Sequence, residues 1–171
     1  MIEMELGGLG FDPRNMSPIV LLRDKEERNF LPIWIGMFEA AAIAMELQDF
    51  KPPRPMTHDL LVSVIKGVGA RVSKVVINEI KDDTFYATIE VRPVVEEGEQ
   101  VEAEDIVIID SRPSDAIAIA VRTKTPIFVS ENVMIKAKMV NTEKDEEETK
   151  KFKDWVSNVK PEDFQKYFDK H

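Results

Sequence analysis

The 171-residue chain contains no cysteine, which excludes disulfides, thiolate metal sites and a cysteine nucleophile. Histidine is almost as scarce, with two in all, His58 and the terminal His171. No apolar run approaches the ~18–20 residues that a membrane-spanning helix needs. The opening MIEMELGGLGFD carries acids where a signal peptide carries lysines, and glycines where it carries an apolar stretch. A cytoplasmic protein without membrane association is the expectation. The chain also lacks a basic run: 23 Lys and Arg stand against 32 Asp and Glu, a net charge of −9. Nucleic-acid binders draw much of their affinity from basic patches. A polyanionic substrate here therefore needs bound cations or a local arginine cluster. Walker A, Rossmann, nucleophile-elbow and HExxH motifs are absent as well, which removes support for the enzyme classes they mark.

What is present reads as an α+β domain. Residues 1–35 hold three apolar runs, Met4–Leu6, Ile19–Leu22 and Phe30–Ile35, separated by Asp-, Pro- and Asn-rich connections. Gly36 opens an alanine-rich helical stretch that Lys51-Pro52-Pro53-Arg54-Pro55 breaks. A second helix begins at Thr57, a good N-cap, with Asp59 in its first turn. Its Leu60, Leu61, Val64, Ile65 and Val68 have the spacing of a core-facing stripe, and Gly67 and Gly69 stop it. Residues 70–81 and 84–95 suit two strands joined by a hairpin at Asp82-Asp83. Ile106–Ile109 is a continuous apolar run, as in a strand covered on both faces. Pro113 suits the first turn of the next helix, with Ser111, Ser114 and Asp115 as capping acceptors. A short strand at 126–129 and a short helix at 131–138 follow.

Laying LPIWIGMFEAAAIAM (31–45) on VIIDSRPSDAIAIAV (107–121) puts Ile33 on Ile109, Ala40 on Ala116 and Glu39 on Asp115. Either a β-β-β-α unit is duplicated, or two alanine-rich helices match by composition. Residues 1–138 form the expected domain. Residues 139–171 are expected to be a charged linker and helical extension, with Phe152, Trp155, Val156 and Val159 at helical spacing. So many aromatics call for docking on the domain or on a second subunit, and a homo-oligomer, a dimer first, is expected.

Two clusters carry candidate chemistry. In PPRPMTHD (52–59), Arg54 suits phosphate recognition and His58 proton transfer at a helix mouth. The competing account is a solvated arginine beside a capped helix. In IDSRPSDA (109–116), Asp110 and Asp115 beside Arg112 offer oxygen ligands for Mg²⁺ or Mn²⁺. The competing account is a cap and an Arg112–Asp115 ion pair. Glu39 joins the candidates only through the repeat. Trp34 fits a core position.

LPIWIG (31–36), EAAAIAMEL (39–47), RPMTHDLL (54–61), GARVSKVVI (69–77) and IDSRPSDAIAIAVR (109–122) resemble the bifunctional nuclease domain family, in the family's order, over about residues 1–138. The resemblance implies a compact α+β domain and, from a related plant protein, DNase and RNase activity. Its motif positions here are Arg54, Thr57, His58, Asp59, Asp110, Arg112, Ser114 and Asp115. The expected function is metal-assisted hydrolysis of phosphodiester bonds in DNA or RNA. His58, Asp59, Arg54 and Arg112 are the catalytic candidates, Asp110 and Asp115 hold Mg²⁺ or Mn²⁺, and Thr57 and Ser114 contact substrate. The alternative is a non-catalytic binding or regulatory module for a protein or small anionic ligand, which the charge of −9 favours.

Overall fold

The computed structural model describes residues 1–26, 28–97 and 101–142, with the side chains of 138–142 excepted. Strands Ile2–Phe11 (β1), Pro18–Asp24 (β2) and Phe30–Trp34 (β3) precede helices Met37–Leu47 (α1) and Thr57–Gly67 (α2). Strands Ala70–Lys81 (β4), Thr84–Pro93 (β5) and Val107–Ser111 (β6) then lead into helix Pro113–Thr123 (α3). A short strand Ile127–Val129 (β7) and helix Glu131–Thr142 (α4) follow, and a single 3-10 turn, Ala103–Asp105, precedes β6. All seven strands form one sheet in the order β3-β2-β1-β7-β4-β5-β6. Only the β4–β7 pairing is parallel, so the sheet is mixed and the class is α+β, as expected.

The topology follows from local signals. Asp82 and Asp83 both have positive φ, 48° and 56°, the backbone of a two-residue type I′ turn whose twist matches its flanking strands. Three strands pair in succession before α1, and three more before α3, so the β-β-β-α order occurs twice, on either side of β7. The structure shows this repeated order alone, not a duplicated sequence. α1 and α3 lie side by side, with Ala40 and Ala116 fully buried at the matched positions. Alanine keeps the two helices close over a core built from Ile43, Ile117, Ile119, Val75, Ile77, Val20 and Leu22. Each large aliphatic side chain buried there is worth about 1.5–3 kcal/mol.

Several expectations are corrected. β1 is longer than Met4–Leu6 and runs through the glycines, with a bulge between Leu6 and Gly8. Met56, not Thr57, occupies the N-cap position of α2, and the Asp59 carboxylate accepts the Met56 N–H at 2.9 Å. Most of the α2 stripe does not face the core: Leu60, Leu61, Val64 and Val68 are exposed, Ile65 alone of the stripe packs against the core, and the buried residue of the helix is Val62. β6 is an edge strand, so Val107, Ile108 and Ile109 are exposed instead of covered. Arg112 is the N-cap residue of α3, which has no side-chain cap. Trp34 sits at the end of edge strand β3, half exposed, and its Nε1 donates to Asp12 Oδ2 at 3.1 Å. α4 runs on to Thr142. Residues 143–171, which hold the rest of the expected extension, lie outside the described residues. Among the described residues, no helix is long and apolar enough to cross a membrane.

Candidate active site

Three helix beginnings converge at the end of β6. Pro113, whose missing N–H costs nothing in a first turn, starts α3 immediately after Arg112, which is still extended at φ −70° and ψ 145°. That backbone sends the Arg112 side chain back over its own helix. Its Nε and Nη2 donate to the two oxygens of Asp115 at 2.7 and 3.2 Å, a two-pronged grip. Its Nη1 donates to Glu39 Oε1 at 2.7 Å, joining α1 to the same guanidinium. His58, in the first turn of α2, places Nε2 3.0 Å from Asp115 Oδ1. The ionised carboxylate only accepts, so this contact puts the proton on Nε2.

Exposure grades across this group. The Arg112 side chain is 65% exposed, while those of His58, Asp115 and Glu39 are 17%, 30% and 20% exposed. The cation stands in water on a half-buried acidic base. Burial alone raises the Asp115 carboxyl, but the hydrogen bonds from Arg112 and His58 outweigh it and hold Asp115 below the ordinary carboxylate range. The hydrogen bonds that Arg112 donates to Asp115 and Glu39 in turn raise the Arg112 pKa.

Asp59, next to His58 in sequence, points elsewhere. Its Oδ1 accepts Arg122 Nε at 2.7 Å. Arg122 is 6% exposed, and it also donates to the carbonyls of Ala118 and Ala42 at 3.0 and 2.9 Å. One guanidinium thus ties α1, α2 and α3 together and fixes where His58 stands. Burial raises the Asp59 carboxyl, but Arg122 and the Met56 N–H prevail and lower it.

Of the eight predicted site residues, the structure brings His58, Arg112 and Asp115 into one hydrogen-bonded group. Asp59 adjoins it as a structural ion pair. Arg54 is exposed in the proline connector and makes no hydrogen bond or ion pair with a described residue. Thr57 is exposed at the first position of α2, and Ser114 is buried under the start of α3. Asp110 is exposed on β6 opposite Thr88, and its side chain bonds to no described residue. Glu39 and Arg122 are the additions. The repeat pointed to Glu39, whereas Arg122 had only one signal, the single basic residue of an alanine-rich helix.

Among the described residues, no group of three His, Asp or Glu side chains is arranged to hold a metal ion. Glu39 and Asp115 are nevertheless hard oxygen donors of the kind Mg²⁺ and Mn²⁺ take, with an imidazole beside them. Arg112 now occupies both carboxylates, so a cation there must compete with the guanidinium.

Residues 20–142 match the bifunctional nuclease domain. The chain belongs to the bifunctional nuclease domain family. An uncharacterized protein of Mycobacterium tuberculosis (strain CDC 1551 / Oshkosh) is 38% identical over 173 residues, covering 96% of this chain and 98% of that protein. Bifunctional nuclease 1 of Oryza sativa subsp. japonica is 28% identical over 115 residues, which are 67% of this chain and 33% of the rice protein. The bifunctional nuclease of Oryza minuta matches to the same extent. The shared stretch is thus most of this chain but a third of each rice protein. The family match over residues 20–142 includes every helix start that builds the Arg112 group.

Proposed function

We propose that this chain is a nuclease that hydrolyses phosphodiester bonds of DNA, RNA or both at the Arg112–Asp115–His58–Glu39 group. The observation that carries the proposal is one exposed guanidinium gripped by two carboxylates, one of which also holds a histidine N–H. A phosphodiester arriving at Arg112 takes over part of the fork that Glu39 and Asp115 now fill, because planar guanidinium matches phosphate oxygens in pairs. Arg54, free of partners among the described residues, adds a second cation on the approach. Water adds at phosphorus, the bond to the leaving oxygen breaks, and a doubly protonated His58 gives its Nδ1 proton to that oxygen while Nε2–H stays on Asp115. The water proton leaves to solvent. Asp115 orients the imidazole by accepting its Nε2–H. Mg²⁺ or Mn²⁺ held by the two carboxylates, once Arg112 turns to the phosphate, would supply further neutralisation of developing charge.

The net charge of −9 favours a second reading, a non-catalytic module that binds a protein or small anion through Arg112 and Arg54. Labelled DNA and RNA oligonucleotides, incubated with purified protein in Mg²⁺, Mn²⁺ or EDTA, separate the two. Cleavage supports the nuclease, and EDTA sensitivity supports the ion. Absence of cleavage together with absence of salt-dependent binding contradicts it. The proposal extends to a homodimer, since α2 and the edge strand β6 each turn apolar residues outward, which monomers seldom leave in water.

A further inference from the structure

A cleft of about 320 Å³ opens between the end of α1, the proline connector and α2, and it shares Asp59 and Arg122 with the neighbourhood of His58. Phe50 lies on it, 57% exposed, with exposed Met56 nearby. The walls are preformed. The Phe50 N–H closes the turn after α1 on the Met45 carbonyl at 2.9 Å, and Pro52, Pro53 and Pro55 fix φ along the connector. Inside are the carboxylates of Glu46 and Asp59, and the Lys51 ammonium on the same wall is already paired with Glu46 at 3.4 Å and Asp49 at 3.1 Å. Each Asp59 oxygen accepts one hydrogen bond, from Arg122 or from Met56, and so keeps a second acceptor position. Arg122 has all its described bonds inside the helix layer, so it does not offset these acceptors for an incoming anion.

This chemistry selects its occupant. A phosphate entering the cleft meets carboxylates, whereas the edge of a nucleobase presents N–H donors to them and its flat face to Phe50. His58 and Asp59 address Asp115 and Arg122, seven residues apart on α3, or about 10 Å along the helix. That span fits a base in the cleft with a nearby phosphate of the same strand at Arg112. We infer that the cleft is a nucleobase subsite and that the site therefore prefers single-stranded nucleic acid, in which a base is free to leave its partner. The inference rests on the nuclease reading above and narrows its substrate class.

The test is binding by fluorescence anisotropy, with three probes of one length: a single strand, its duplex, and a single strand of abasic residues. Wild type, Phe50→Ala and Arg112→Ala are compared, with melting temperatures confirming that the exposed substitutions leave the fold intact. The expected result is that wild type prefers the intact single strand. Abasic residues or Phe50→Ala each weaken binding at least about fivefold, and Phe50→Ala makes no further difference on the abasic strand. Equal binding of duplex and single strand, or intact-strand binding unchanged in Phe50→Ala, overturns the subsite. In that case, loss of binding in Arg112→Ala leaves the nuclease reading standing. Failure to bind any probe overturns the subsite, and together with absence of cleavage in the oligonucleotide assay it overturns both.

Discussion

Glu39 and Arg112, 73 residues apart in the chain, meet at 2.7 Å, and the same guanidinium holds Asp115 at 2.7 Å. An acid from the first turn of α1 and one from the first turn of α3 thus compete with any incoming phosphate for one cation. The competition gives Glu39→Gln a defined sign. Losing one charged partner frees part of Arg112, and an exposed pair of this kind is worth about 0.2–1 kcal/mol. Phosphate or oligonucleotide affinity is therefore expected to rise, by no more than about fivefold, while turnover falls because a carboxylate is lost. Affinity by titration and turnover by gel assay check the two parts.

Asp110 and Asp115 are expected to part company. Asp115→Asn removes the charge and replaces one of the two oxygens that serve Arg112 and His58 by a donor, and is expected to lower cleavage by about a hundredfold. Asp110→Asn, on a side chain outside the group, is expected to leave it within twofold. Because Asp115 is held below the ordinary carboxylate range, the activity it supports persists to lower pH than a free aspartate allows and falls only as acid protonates it. A pH–rate profile of the wild type reads this directly.

Arg122 is a structural linchpin. Arg122→Met leaves the Asp59 carboxylate and the Ala42 and Ala118 carbonyls without their donor, and the expected cost is about 3 kcal/mol in denaturant unfolding. Arg122→Lys recovers only part, since an ammonium lacks the planar fork that serves three helices.

The buried carboxylate of Glu90 contributes to acid stability. Burial raises Glu90, but hydrogen bonds from Ser73, Lys74 and Arg92 bring it from 4.5 down to about 2. A folded-state pKa below the unfolded value contributes stability above about pH 4.5, which is lost as pH falls through about 2. Glu90→Gln is therefore expected to be less stable than wild type at pH 7 and to match it near pH 2. Urea unfolding at the two pH values tests this.

The proposed dimer rests on a surface that can be charged without touching the core. Val64→Glu combined with Ile108→Lys is expected to halve the mass in sedimentation velocity and preserve the fold, because both positions are exposed. A wild type that sediments as a monomer at all concentrations contradicts it.

How much of this was legible in the sequence differs by element. The β4–β5 hairpin was readable because Asp82-Asp83 carries its own turn chemistry. The extent of α2 was readable too, but its orientation was not. A helical apolar stripe says that one face avoids water, not what covers it, and Leu60, Val64 and Val68 turned outward. β6 failed for a related reason, since an apolar run fits a doubly covered strand and an unprotected edge alike. The site was half visible. Arg112 and Asp115 sit three residues apart, and the repeat placed Glu39 opposite Asp115. His58 was singled out by its scarcity. The partnership of Arg122 with Asp59 spans 63 residues and two helices, a distance at which residue type alone carries no signal.

The most direct test of the central claim is cleavage of single-stranded DNA and RNA by wild type beside Arg112→Ala, with circular dichroism confirming equal folding. The account predicts that the wild type cuts and that the variant loses about a hundredfold or more in rate. Equal cutting by the two proteins, or none by the wild type under any divalent ion supplied, contradicts it.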